Sequence, residues 1–226
     1  MGILLDLIFP PRCLICRTPL KSGYICGSCL TDFVPVTGAI CKRCGVSKDR
    51  CTCGALVNNY DGCVASLYFE KSGKTLVYRC KNASSKSALK LAACFMETAY
   101  RHYYPKTKID VMICIPRDFY KYLRDGENHS DVLGKYLSKK IKIKYDGSII
   151  KKVKLGKTQK RLTKLERLEN LHGAYKVFAE NKVKGKNVLI IDDVKTTGAT
   201  LNECAKVLKA AGASRVYCLV LASVAK

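Results

Sequence analysis

Two adjacent carboxylates follow a buried stretch near the end of the chain. The apolar run of residues 188–191, VLII, predicts a strand covered on both faces, and Asp192 and Asp193 come directly after it. Parallel sheets bind their ligands at the carboxyl ends of strands. Two neighbouring acids placed there are costly unless a cation or hydroxyl groups meet them. The pattern therefore predicts a binding site for a hydroxyl-bearing or cationic ligand.

A short polar loop follows the two acids. Residues 196–200, TTGAT, offer amides and hydroxyls that can surround a phosphate, and the next helix adds the positive end of its dipole. Lys195 adds a charge toward that phosphate. Receiver domains and Walker B strands also carry acids after a strand, but this loop is not part of either pattern. No GxxxxGK[ST] sequence is present, which argues against a nucleoside triphosphatase.

The N-terminal quarter of the chain is rich in cysteine. Eight of the 14 cysteines fall within residues 13–53, in four close pairs. Such spacing is typical of two structural, four-thiolate zinc sites, because each tight turn presents two sulfurs to one ion. Iron–sulfur binding is the competing hypothesis. We prefer sequential grouping to interleaved grouping, so that the two sets are Cys13, Cys16, Cys26 and Cys29, and Cys41, Cys44, Cys51 and Cys53.

Positive charge is concentrated in the C-terminal part of the chain. The formal net charge is +23, and residues 135–186 hold 17 basic against 4 acidic side chains. Such a field attracts polyanions, which predicts contact with nucleic acid. The alternative is a solvated, lysine-rich surface.

Apolar runs alternate with helical patterns after the cysteine-rich segment. We predict a loop-rich metal domain over residues 1–56 and an α/β domain with a mainly parallel sheet over residues 63–226. Membrane insertion is not expected, because no apolar run approaches 18 residues and the N-terminus is a poor signal peptide, so we expect a cytoplasmic protein. The predicted strands are 63–69, 110–116, 187–192 and 215–224. A polar turn is predicted at 70–74. One predicted helix follows this turn, a second lies near 128–140 and a third covers 201–213.

The stretch VLIIDDVKTTGAT resembles the motif with which type I phosphoribosyltransferases bind phosphoribosyl pyrophosphate (PRPP). Four further segments resemble the ComF family of competence proteins, and the resemblance covers about residues 4–224. They are FPPRCLIC, VYRCKNASSKSALKLA, ICIPRDFYKYLRDGENHSDVL and TQKRLTKLERLEN. The resemblance implies a zinc domain followed by a phosphoribosyltransferase-like domain. It also implies a role in the uptake of single-stranded DNA, alongside helicase or translocation proteins of the uptake machinery.

The resemblance also implies roles for individual residues. Asp192 and Asp193 would hold the ribose hydroxyls of PRPP with a magnesium ion nearby, and would be the catalytic pair if transfer occurs. The residues expected to contact the phosphate groups are Lys195, Thr196, Thr197, Gly198, Ala199, Thr200, Lys81, Arg117 and Arg161. Those expected to contact DNA are Arg161, Lys164, Arg167, Lys152 and Lys154.

One loop departs from the family pattern. Family members carry an RGFNQ-like sequence where this chain has Asp125-Gly126-Glu127-Asn128-His129, with Arg124 adjacent. The alternative function is an active phosphoribosyltransferase that acts on a nucleobase or another small nucleophile, with a purely structural zinc module.

Overall fold

A four-stranded parallel sheet lies at the centre of the structure. Across the sheet, its strands lie in the order 62–68, 215–223, 187–195 and 111–114. The structure is a computed structural model and describes residues 10–54, 58–81, 85–116, 129–154 and 173–224. In chain order its strands are β1 (Gly62–Tyr68), β2 (Val111–Cys114), β3 (Ile150–Lys152), β4 (Tyr175–Val177), β5 (Asn187–Lys195) and β6 (Arg215–Ser223). The predicted parallel α/β fold is confirmed.

Helices cover both faces of this sheet. They are α1 (Gly27–Thr31), α2 (Lys71–Cys80), α3 (Lys86–Tyr103), α4 (His129–Ile141) and α5 (Ala199–Ala210). Helices α2, α3 and α4 contribute to the hydrophobic core on one face, and α5 contributes to the core on the other. None of the described helices is long and apolar enough to cross a membrane.

The polar turn predicted at residues 70–74 is wrong, because these residues begin a helix. Glu70 is the N-cap of α2 and Gly73 lies in its first turn. A Cβ at Gly73 would stand only 2.7 Å from the carbonyl oxygen of Tyr68. The glycine therefore allows the helix to approach the end of β1 closely, and does not mark a turn.

A small antiparallel ribbon, not predicted from the sequence, lies outside the main sheet. It pairs β3 with β4, with Lys151 opposite Lys176. Ile150, Tyr175 and Val177 are buried in the core that also contains residues of α5. Each strand has only three residues, which is too short to show a clear alternation in the sequence.

The cysteine-rich segment is bonded to the open edge of the sheet. The amides of Cys63 and Ala65 in β1 donate to the carbonyl oxygens of Lys42 and Gly45, each at 2.8 Å. The amide of Tyr68 donates to Val34 in the same way. These bonds cover an edge that would otherwise expose unpaired backbone groups. The cysteine-rich segment thus continues the backbone hydrogen bonding of the sheet beyond β1.

Candidate functional site

The two acids lie where β5 runs past its neighbour. The last β2–β5 pair is Cys114 with Ile191, and β5 continues beyond this pair to Lys195 alongside β6. The strand is therefore three residues longer than predicted. The acids are half-buried at the carboxyl end of the sheet, the position that parallel sheets use for ligands.

The carboxylates of this pair have different surroundings. Asp193 Oδ2 lies 3.8 Å from Nζ of Lys81, the C-cap residue that follows α2. Asp192 Oδ1 accepts a hydrogen bond of 2.9 Å from the amide of Asp193. Burial, and after it the charge of Asp192, raises the pKa of the Cys204 thiol on α5. Lys81 is thus close to the acids, and its contact with the phosphate groups of a ligand stays a prediction.

The loop after β5 leads directly into the N-terminus of α5. Gly198 is the N-cap, with φ of +79°, and no side chain caps the helix through it. Thr197 Oγ1 accepts from the amide of Ala199 at 3.3 Å. Thr196 and Thr197 are exposed, and the next three residues are half-buried. An open helix N-terminus beside hydroxyl groups has the geometry and the partial positive charge to bind a phosphate.

Lys195 is a buried cation underneath this loop. Only 7% of the residue is exposed. Its Cε would lie 3.1 Å from a Cβ at Gly198, so the side chain runs against the loop backbone. Burial raises the pKa of Cys63 to about 12, and the charge of Lys195 opposes that rise. Within the described residues no carboxylate forms an ion pair with Lys195.

Ser223 is a second buried polar residue at this edge. It pairs with Lys195 in the register of β5 with β6. Its Oγ is buried and has no hydrogen-bond partner among the described residues. Since buried hydroxyls are nearly always bonded, the edge below the loop has polar groups available for a ligand or water.

The other predicted residues fall in three places. Lys152 ends β3 and Lys154 follows it, both on the ribbon. His129 begins α4 and is buried. Predicted residues outside the described part of the chain are Arg117, Arg161, Lys164, Arg167 and residues 124–128 of the variant loop.

The eight paired cysteines form two groups of four. The Sγ atoms in each group all lie within 4.8 Å of one another, and the grouping is sequential. A tetrahedral ion with Zn–S bonds of about 2.3 Å needs S···S separations of roughly 3.8 Å. The observed separations include 3.7 Å for Cys16–Cys26, 3.6 Å for Cys41–Cys53, 3.5 Å for Cys44–Cys51 and 3.3 Å for Cys51–Cys53. Both groups fit zinc.

Backbone amides favour the thiolate form of one cysteine in each group, whereas burial raises the pKa of Cys29 and of Cys44. Burial would raise the pKa of Cys13, but the amides of Cys16, Cys26 and Ile15 outweigh it and lower the pKa to about 6. The pKa of Cys41 is also lowered to about 6, because amide hydrogen bonds in its own turn outweigh burial. Thiolates are the form that binds a metal.

Tyr60 lies between the second cysteine group and the TTGAT loop of residues 196–200. The hydroxyl of Tyr60 donates at 2.6 Å to the carbonyl of Arg43, which lies between Cys41 and Cys44. The same hydroxyl oxygen would be 3.6 Å from a Cβ at Gly198. Sequence reasoning missed Tyr60, and no local signal could have found it, because its two neighbours are distant in sequence from each other.

A second link joins the same regions through the residue before Tyr60. The amide of Asn59 donates at 2.7 Å to Oδ1 of Asn202, in the first turns of α5. Asn58 Nδ2 donates at 3.0 Å to the Arg43 carbonyl, which thus accepts two bonds. Residues 58–60 therefore connect the turn between Cys41 and Cys44 with the start of α5.

Comparison with known proteins agrees with this architecture. The model of the double zinc ribbon domain matches residues 4–60, and the model of the phosphoribosyl transferase domain matches residues 127–226. Together the fold and the cysteine groups define a phosphoribosyltransferase-type domain joined to a double zinc ribbon.

Individual relatives narrow the class. A DNA utilization protein, YhgH, of Escherichia coli O6:H1 is 26% identical over 225 residues, which cover 94% of this chain and 98% of the relative. Competence protein F of Haemophilus influenzae is 33% identical over 108 residues, 47% of each protein. The chain is thus similar to these proteins and combines a double zinc ribbon with a phosphoribosyl transferase domain, as its resemblance to the ComF family predicted.

A solved structure also matches part of the chain. It is the allosteric regulatory enzyme of purine biosynthesis, with 17% identity and a TM-score of 0.41. The match covers 59% of this chain and 26% of that enzyme, so the chain spans about a quarter of its length.

Proposed function

We propose that this protein binds PRPP with magnesium at the carboxyl edge of its sheet and acts in the handling of single-stranded DNA during natural transformation. The observation that carries the first part is the arrangement of β5, Gly198 and α5, in which two acids and a helix N-terminus with a glycine N-cap lie at one edge. The names of its relatives, DNA utilization protein and Competence protein F, support the second part.

The residues at this edge have distinct tasks in the proposal. The hydroxyls and amides of the TTGAT loop hold the 5-phosphate, and Lys195 supplies positive charge from below. Asp192 and Asp193 accept hydrogen bonds from the ribose hydroxyls. Lys81, next to Asp193, faces the diphosphate. Magnesium neutralises the diphosphate, since it is commonly held by carboxylates together with substrate phosphates.

The zinc ions have a structural task. Four thiolates leave no open coordination position for chemistry, and metal binding contributes folding free energy to a short, loop-rich segment. Each ion in this proposal is held by one of the two sequential groups. The ions thereby fix the segment that covers the edge of β1.

DNA contact is assigned to the lysine-rich ribbon and the segment that it flanks. Lys152 and Lys154 lie on the ribbon, and Arg161, Lys164 and Arg167 follow in the chain. Phosphate contacts of this kind make affinity depend on salt. The ribbon packs against the core that includes α5, so the ribbon lies on the same face of the sheet as α5.

The test of PRPP binding is calorimetry with and without magnesium. We expect magnesium-dependent binding that is lost in the double variant Asp192→Asn, Asp193→Asn, with the melting temperature retained. Lys186→Met, an exposed position just before the start of β5 and far from the acids, is the control. Equal affinity of the double variant and the wild type would contradict the site.

The test of turnover is pyrophosphate release with a panel of nucleobases and with oligonucleotides. Release that depends on a base and needs no DNA would replace the competence proposal with the alternative, an active phosphoribosyltransferase. For DNA, replacing four lysines of residues 135–186 with glutamine should weaken single-strand binding and lower its salt slope. An unchanged slope would refute the assignment.

A further inference from the structure

An exposed aromatic ring stands among lysines on the outer face of the ribbon. Phe178, directly after β4, is 54% exposed, and Val153, directly after β3, is 49% exposed. Lys151 lies two residues before Val153 and Lys176 two residues before Phe178, and both lysines are also exposed. The inner face, in contrast, is buried against the sheet. Packing in the hydrophobic core therefore does not explain why an aromatic residue stands at position 178.

The two lysines stand at unusual positions. Lys151 and Lys176 are directly opposite each other in the antiparallel register, an arrangement of like charges that destabilises a sheet. Their Nζ atoms lie 5.2 Å and 6.0 Å from the centre of the Phe178 ring. Neither lysine forms an ion pair with any residue in the described part of the chain. The ribbon sequences 149–153 and 174–178 contain no acid.

We propose that the outer face of the ribbon is a stacking platform for an unpaired nucleobase, with the base on the ring of Phe178 and the flanking phosphates on Lys151 and Lys176. This inference rests on the proposed handling of single-stranded DNA, and it names the place and the mode of binding. Aromatic rings beside cationic groups are the common means of binding single strands without sequence preference.

Other occupants fit this face less well. The apolar area is one ring and one valine side chain, far below the roughly 800 Å² per partner of a stable protein interface, and interface cores are depleted of lysine. Duplex DNA presents its phosphates but keeps its bases stacked and paired, so it satisfies the lysines and leaves the ring without a partner. An anionic membrane surface is the remaining occupant, and the experiment includes it.

The experiment compares variants of the full-length, zinc-loaded protein. The ligand is an oligothymidylate of about ten nucleotides, and the matched ligand is an abasic strand of the same length. Phe178→Leu should weaken oligothymidylate binding roughly fivefold to hundredfold, leave abasic binding unchanged and leave the salt slope unchanged. Lys151→Gln with Lys176→Gln should lower the salt slope by about 1.4, because each single-strand phosphate contact contributes roughly 0.7.

A fluorescent variant gives a direct readout. The chain has no tryptophan, so Phe178→Trp introduces a unique indole. We expect oligothymidylate to quench its emission and the abasic strand not to. Tyr78→Leu, which removes a ring of 55% exposure from α2, is the control and should leave binding unchanged.

Each result distinguishes this inference from the proposed function. If the wild type binds oligothymidylate and Phe178→Leu binds it equally well, the platform is wrong while DNA binding stands. Equal binding of a duplex and a single strand, or an emission change caused only by vesicles of anionic phospholipid, also overturns it. If the wild type binds no oligonucleotide, both the platform and the DNA part of the proposed function are wrong.

Discussion

Replacing Lys195 with methionine should have opposite effects on the free protein and on ligand binding. The side chain is 7% exposed, and within the described residues no carboxylate forms an ion pair with it. Methionine has a similar length and no charge. Removing a buried cation that has no ion-pair partner among the described residues should stabilise the free protein by roughly 1–2 kcal/mol. In a chain of 226 residues, that raises the melting temperature by about 2–8 °C.

The same substitution should weaken binding of a phosphate over Gly198. The lysine Cε would lie 3.1 Å from a Cβ at Gly198, so a phosphate on the other side of the loop lies within several ångströms of Nζ. Two unit charges about 8 Å apart attract by about 2 kcal/mol at an effective dielectric constant near 20. That corresponds to a roughly 30-fold higher Kd for PRPP.

Calorimetry and thermal melting of the same samples measure both effects. Lys186→Met, which removes an exposed lysine just before the start of β5, should change neither quantity much. Binding of PRPP by Lys195→Met as tight as by the wild type would contradict a phosphate site over Gly198. Strong destabilisation of the variant would refute the predicted rise in melting temperature, because the lysine would then have a partner that it needs.

Three further perturbations follow from the geometry. Tyr60→Phe removes the 2.6 Å bond to the Arg43 carbonyl and should cost about 1 kcal/mol in urea unfolding; an unchanged midpoint would contradict it. Cys53→Ser should release zinc and weaken PRPP binding, whereas Cys16→Ser, in the first group, should release zinc with little effect on PRPP; metal analysis beside calorimetry checks both. Burial would raise the pKa of Asp146, but its bonds with Lys182 and Ser148 outweigh burial and lower the pKa to about 2. The ionised acid therefore stabilises the folded protein above about pH 4, and this stabilisation is lost as the pH falls to about 2. Asp146→Asn should flatten acid unfolding over that interval, and an unaltered acid curve would refute the assignment.

The sequence predicts the sheet well because its strands are covered on both faces. The buried strands β5 and β6 are continuous apolar runs, which stand out without any knowledge of their neighbours. The groups of cysteines are similarly readable, since the spacing within each pair is dictated by the turn that presents two sulfurs to one ion.

Features that depend on distant contacts could not be predicted. Gly73 looks like a turn residue, and only the nearby Tyr68 carbonyl explains it within a helix. Tyr60 joins the second cysteine group to Gly198, residues that are remote in sequence. Phe178 looks like an ordinary apolar residue, and its exposure follows from the pairing of two three-residue strands.

The central claim is that the edge formed by β5, the TTGAT loop and α5 holds PRPP. The most direct measurement is a crystal structure of the protein with PRPP and magnesium. The account predicts the 5-phosphate within hydrogen-bond distance of the amides of residues 197–200 and the ribose hydroxyls on Asp192 and Asp193. Density for the ligand at any other place, or none at this edge under saturating PRPP and magnesium, would contradict it.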